Sequence, residues 1–313
     1  MTLYEDMIVN LVERDPRVMI MTAENRAPMR TIIDRLGTRF VDVGIAEQTL
    51  IGMAVGLALR GRRPLVHALA TFLTMRAFEF VRTDIGIGRQ PVILIGFVPG
   101  FQSDGNGPTH QAIEDIALMR GIPGMNVFCP SDEEELATSM PDLVTSGKSW
   151  YVRFAGNKRE LEAAVKPPPV GQAGVIRDGK DITIISYGPL LYNVLKAARI
   201  LEAEGLTIRV VHMPTLKPCD SEAVASAFRT TSLVVTVEDH FRHGGLGSIV
   251  TEIAADLAED LREGKPVARL LTISLEDHWF KPGLLAEVLA HEGFQPQQIA
   301  DRIRTTFRRY YAK

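Results

Sequence analysis

The sequence predicts an α/β chain of two domains, each a mainly parallel sheet flanked by helices. Three observations carry this. Its 313 residues are enough for two ordinary cores. Short apolar runs alternate with segments of helical spacing along the chain, the order expected of parallel strands joined by covering helices. The rhythm breaks once, at "AAVKPPPVGQAG" (163–174), where three consecutive prolines end any helix and favour an extended connector. The predicted domains are therefore residues 1–165 and 176–313, with a Pro-rich linker over 166–175.

In the first domain the strand-like runs are "RVMIMTA" (17–23), "RFVDVG" (39–44), "PLVHALA" (64–70), "PVILIGFV" (91–98), "MNVFC" (125–129) and "WYVRFA" (150–155). Helical spacing fills "AEQTLIGMAVGLALR", "TMRAFEFVRTDIG", "QAIEDIALMRG" and "SDEEELATSMPDLVTSG". The last opens on Ser131 as an N-cap, with acids in its first turn. In the second domain "ITIISYG" (182–188), "TIRVVHMP" (207–214), "SLVVTVED" (232–239) and "VARLLTIS" (267–274) read as strands. Helices are expected through "LLYNVLKAARILEAEG", near 221–229, over about 246–263, and on to the end.

Composition excludes several function classes. Charged residues make up 23% and hydrophobic ones 46%, and a formal net charge of −3 gives no footprint for nucleic acid or an anionic membrane. "GRR" (61–63) and "RRYYAK" read as solvated surface. Cys129 and Cys219 are far apart and form no CxxC, which argues against a disulfide framework or structural zinc and suits the cytoplasm. The amphipathic start "MTLYEDMIVNLVERD" is unlike a secretory signal, and "TLIGMAVGLAL" is too short to span a bilayer.

Two stretches carry candidate chemistry. The helix after "DVGIAEQ" is apolar almost all round, so burial is expected, with Gly44, Gly52 and Gly56 letting other backbone approach. Glu47 opens that helix. Its plainer role is to complement the helix dipole; in a dry setting, however, a carboxylate must find a partner or take up a proton. A carboxylate with raised proton affinity is what an enzyme needs to donate a hydrogen bond to a heterocyclic nitrogen. The second stretch, "FQSDGNGPTHQ" (101–111), is a Gly-rich polar loop leading through His110 into a helix. It has neither a P-loop nor a dinucleotide-binding spacing.

"FVDVGIAEQ", "ATFLTMRAFEFVR" and "DGNGPTHQAIEDIALMRGIPGMNVFCPSD" together resemble the pyrimidine-binding domain of transketolases, and "VVTVEDHFRHGGLGSIVTEIAA" resembles their C-terminal domain. In order and spacing, the resemblance covers nearly the whole chain and points to the C-terminal subunit of a split transketolase. It implies the thiamin diphosphate-binding fold, with Glu47 hydrogen-bonding N1′ of the aminopyrimidine of thiamine diphosphate and so activating C2. Phe72 matches the aromatic that packs on that ring, and Met75 and Phe78 fall at further cofactor-side positions. For Phe78 ordinary core packing is an equal alternative. His110 matches a histidine beside the cofactor and substrate, Asn106 a substrate contact, and Arg153 an arginine that binds the sugar's distal phosphate. The plainer reading of Arg153 is an ion-paired strand residue.

The resemblance has departures. Many transketolases carry aspartate at Asn106, histidine at Val98 and an aromatic at Met75, so the substrate is left open. The chain contains no GDG, the family's signature for the diphosphate and its divalent metal. A separate N-terminal diphosphate-binding subunit holding Mg²⁺ is thus implied, in an α2β2 heterotetramer acting on small ketose and aldehyde substrates. Apolar surface on "RAFEFVRTDIGIG" would be interface. No metal site is expected within the chain itself. His240 and His243 sit in a Gly-marked loop, and a structural turn is their family analogue. Alternatives are the β-subunit of a thiamine-dependent 2-oxo acid dehydrogenase, a 1-deoxyxylulose-phosphate synthase fragment (disfavoured by the chain's own amphipathic first helix), and a catalytically silent transketolase-like partner.

Overall fold

A computed structural model describes residues 1–102, 104–158, 160, 166–256, 268–279 and 281–311. The chain opens with helix α1 (Leu3–Arg14), whose Thr2–Glu5 capping box satisfies two backbone donors of its first turn. Strands β1 (Val18–Thr22), β2 (Phe40–Asp42), β3 (Arg63–Leu69), β4 (Ile93–Phe97), β5 (Met125–Phe128) and β6 (Ser149–Phe154) follow. Between them run helices α2 (Ile33–Leu36), α3 (Glu47–Leu59), α4 (Phe78–Phe80), α5 (Asp115–Arg120) and α6 (Glu133–Thr145). Every residue of β1, β4 and β6 is buried, as expected of parallel strands covered on both faces.

The second half contributes β7 (Gly174–Arg177), β8 (Ile182–Ser186), β9 (Ile208–His212), β10 (Thr215–Lys217), β11 (Leu233–Phe241) and β12 (Arg269–Leu275). Its helices are α7 (Leu190–Glu202), α8 (Ser221–Thr230), α9 (Leu246–Asp256), α10 (Leu285–His291) and α11 (Pro296–Tyr311). The expected continuation of α9 towards residue 263 lies outside the described residues.

One sheet has the order β10-β5-β6-β4-β3-β1-β2 and the other β12-β11-β8-β9-β7. Pairing is parallel except at β10 with β5 and at β7 with β9. Neither antiparallel strand is expected from the hydrophobic pattern. The first of them belongs by chain position to the second half yet borders the first sheet. Lys217 fixes it there, donating to the carbonyls of Arg120 (2.7 Å) and Ile122 (2.6 Å). One apolar cluster runs from Met21 and Leu50 through Met125 to Val211 and Leu246, so the two halves share a core.

Two local expectations are corrected. The cap of α6 is Asp132, which accepts from the Glu135 N–H, while Ser131 donates its own N–H to the Glu135 carboxylate. Helix α3 is apolar all round but buried on one face only, through Glu47, Leu50, Ile51, Ala54 and Ala58. Its other face, with Gly52, Met53, Gly56 and Leu59, is exposed, and a Cβ added at Gly52 or Gly56 would meet nothing within 4 Å. Among the described residues nothing covers that face. Among those residues, too, no helix is long and apolar enough to cross a membrane.

Candidate active site

In a parallel sheet the loops leaving the C-terminal strand ends gather at one edge, where such folds build their sites. Here those loops follow β2, β3 and β4. From β2 the chain turns through Gly44 into α3, with Glu47 as its first residue. From β3 it runs directly into a wide π turn over Phe72–Arg76, then α4, then a second π turn over Val81–Ile87. From β4 it passes Val98 and Gly100 into the loop carrying His110.

Glu47 is 2% exposed, and of the two outcomes open to a buried carboxylate the structure takes the first: it has a partner. Arg76 Nη1 donates to both carboxylate oxygens, at 3.1 and 3.0 Å. The same guanidinium stacks over the Phe72 ring, Cζ 4.0 Å from its centroid. The Phe72 ring meets the His110 imidazole edge-on, with centroids 5.0 Å apart. Four side chains from three loops thus form one group: carboxylate, guanidinium, aromatic ring and imidazole.

The π turn builds part of this geometry. Its wider winding, in which the Ala77 N–H reaches back to Phe72 O at 3.3 Å, brings the Arg76 side chain over the ring of Phe72. The sequence spacing predicts a plain helix over 74–86 instead. It also gives Arg76 no role, although this is the one cation in "TFLTMRAFEF".

The remaining predicted residues divide. Met75 is half-buried, its sulfur accepting from Thr71 Oγ1 at 3.5 Å. Phe78 is half-buried and packs against the apolar core, its alternative reading. Asn106 is exposed on the loop, where its carbonyl accepts from the Thr109 hydroxyl at 3.4 Å. His110 Nδ1 lies 2.9 Å from Thr109 Oγ1. Val98, a β-branched residue, has φ +47, a strained left-handed conformation of the kind that collects at functional loops. Gly100 (φ +60) permits the close packing of this loop: a Cβ there would lie 1.9 Å from Asp239 Oδ2.

Arg153 does not join the group. It is 3% exposed and donates through Nε to Asp115 (2.9 Å), through Nη1 to Asp239, and through Nη2 to the carbonyls of Ala112 (3.0 Å) and Asp239 (3.1 Å). Burial opposes its charge, but the two carboxylates hold its proton affinity well above the ordinary value. With four donor positions engaged, the expected phosphate role gives way to the plainer ion-paired one. Through Ala112 it steadies the segment just after His110. His240 likewise binds backbone with both nitrogens, accepting from the Ala117 N–H at 3.3 Å and facing Phe241 O at 2.6 Å, which leaves no lone pair for a metal.

Comparison with known proteins adds the lineage. The family profile "Transketolase, pyrimidine binding domain" matches residues 1–162, and "Transketolase, C-terminal domain" matches 171–299. A 1-deoxy-D-xylulose-5-phosphate synthase from Syntrophotalea carbinolica is 36% identical over 94% of this chain and 46% of its own length. This chain spans about half the length of the synthases it matches. One of the subunits of an apulose-4-phosphate transketolase from Phocaeicola vulgatus is 31% identical over 95% of this chain and 93% of its own. Among solved structures, a split-gene transketolase described as an inactive β4 tetramer superposes with a TM-score of 0.84 at 31% identity, covering 97% of both chains.

Proposed function

This chain belongs to the transketolase family, and on that premise we propose that it is one subunit of a two-chain, thiamine diphosphate-dependent transferase moving a two-carbon ketol unit from a ketose to an aldehyde. The observation that supports this best is the Glu47–Arg76–Phe72–His110 group. A guanidinium is flat and carries N–H donors. That one such group satisfies the Glu47 carboxylate and covers the Phe72 face at once supports the reading of a site for a flat nitrogen-bearing ring. When bound, thiamine diphosphate supplies the carbon nucleophile of the reaction.

The residues of this chain then have distinct tasks. Glu47 shares a hydrogen with the ring nitrogen, in a setting dry enough for that bond to count. Phe72 presents an aromatic face, and Met75 and Phe78 close the same side against water. His110 holds or moves a proton at a substrate oxygen, and Asn106 offers a hydrogen bond to a substrate hydroxyl. The diphosphate and Mg²⁺ fall to a separate subunit in an α2β2 assembly. That reading is supported by the uncovered apolar face of α3 and by the exposed Phe80 and Ile87 beyond it. Free Cys129 and Cys219 are in keeping with the cytoplasm.

The identity to 1-deoxy-D-xylulose-5-phosphate synthases favours a second reading, in which the two-chain enzyme makes that product with the same use of Glu47. Assay of the chain with a diphosphate-binding partner, thiamine diphosphate and Mg²⁺ separates the two: ketol transfer between sugars supports the first, and 1-deoxy-D-xylulose 5-phosphate formation supports the second. Full turnover by Glu47→Ala would sink both.

A further inference from the structure

We propose that Arg76 is a latch on the Glu47 site, whose side chain must swing aside before a flat ring can reach Glu47 and Phe72 together. This rests on the reading that those two residues receive the aminopyrimidine of thiamine diphosphate. The guanidinium takes the hydrogen-bonding partner and the stacking partner of such a ring at the same time, at 3.0–3.1 Å from the carboxylate oxygens and 4.0 Å from the ring centroid. The ring and Arg76 therefore compete for both.

The surroundings suit a side chain that moves on a fixed backbone. The Arg76 carbonyl is held by Gln48 Nε2 at 3.2 Å, and the next N–H, of Ala77, is bonded to the carbonyls of Phe72 and Met75. The Arg76 side chain, in contrast, is 40% exposed while that of Glu47 is only 3% exposed. Swinging out returns a guanidinium that is already half in water to full hydration, and needs rotamer changes alone. Swinging in gives the buried carboxylate a partner whenever the ring is elsewhere, which avoids an uncompensated buried charge. A site closed about nine-tenths of the time binds its ligand about tenfold more weakly than the open site does.

The test titrates thiamine diphosphate by calorimetry into this chain assembled with its diphosphate-binding partner and Mg²⁺, as wild type, Arg76→Gln and Arg76→Lys. The latch predicts binding about tenfold tighter in Arg76→Gln, with Arg76→Lys in between because lysine keeps the charge but loses the flat stack. By linkage, Arg76→Gln then lowers the melting temperature of the unloaded assembly more than that of the loaded one. If Arg76→Gln fails to fold, Arg76→Lys decides by the same sign. Equal or weaker binding in the variants, with the wild type binding normally, overturns the latch and makes Arg76 a permanent wall or contact. Absence of thiamine diphosphate binding by the wild-type assembly overturns the reading of the site itself, and the latch with it.

Discussion

Arg76 and Arg153 both answer buried carboxylates, yet the Arg76 side chain is 40% exposed and the Arg153 side chain 2%. Arg76 meets one acid at the open edge of the first sheet and stacks on an aromatic ring. Arg153 meets two acids, Asp115 and Asp239, at the seam between the halves, and adds two backbone carbonyls. Exposure and donor use separate a working charge from a fastening one. A fastened arginine has its donors spent and no route to water, whereas a working pair leaves one partner able to depart. A buried ion pair contributes little net stability, but removing one member of it is costly because the other is stranded.

The largest effect expected from this contrast is catalytic. Glu47→Ala should lower turnover of the assembled enzyme by about 10²–10⁴-fold, the usual worth of a positioned proton-transfer group, with the circular dichroism spectrum unchanged. Next is Arg153→Met, which strands Asp115 and Asp239 and should cost about 3–5 kcal/mol in urea unfolding of the chain. An equal cost for Arg76→Gln, where the arginine is 40% exposed and answers one acid in place of two, would erase the distinction. Smaller is Met53→Glu, on the uncovered face of α3. It should change the chain's own stability by less than about 0.5 kcal/mol, as exposed positions do, while weakening co-purification with the diphosphate-binding subunit.

A pH effect is expected at another buried acid, Glu238, which has backbone donors in place of an arginine: the N–H groups of Leu246 and Gly247. Burial pushes its proton affinity up, from an ordinary 4.5 to about 8. As pH rises through that window the unfolded chain gives up the proton before the folded chain does, so the folded state loses ground. Between about pH 6 and 7 the loss is at most about 1.4 kcal/mol, and Glu238→Gln should flatten that slope in denaturant titrations.

Much of this is legible in the sequence. Ten of the strands stand where apolar runs are bounded by turns, because the strands of a covered parallel sheet are dominated by apolar side chains. The two antiparallel additions, β7 and β10, are not legible. "GVIR" and "TLK" are short edge pieces whose pairing is set by where the rest of the chain delivers them. At the site, Glu47, Phe72 and His110 can be picked out from the sequence and lie together. Arg76 cannot, because its role depends on a π turn that ordinary helical spacing does not announce. Arg153 invites a ligand role that the geometry withdraws: no local pattern reveals that Asp239, 86 residues away, packs against it. The apolar outer face of α3 is legible as hydrophobicity but not as surface, because its residues are apolar on both the buried and the exposed side and so give no periodic contrast.

Activation of a bound thiamine ring by Glu47 is open to direct measurement. It is tested most directly by the exchange of the cofactor's C2 proton with deuterated water in the assembled enzyme, followed by NMR after acid quench. Exchange in the wild type should outpace that in Glu47→Gln by on the order of a hundredfold or more. Equal rates in the two, with thiamine diphosphate bound to both, would contradict it.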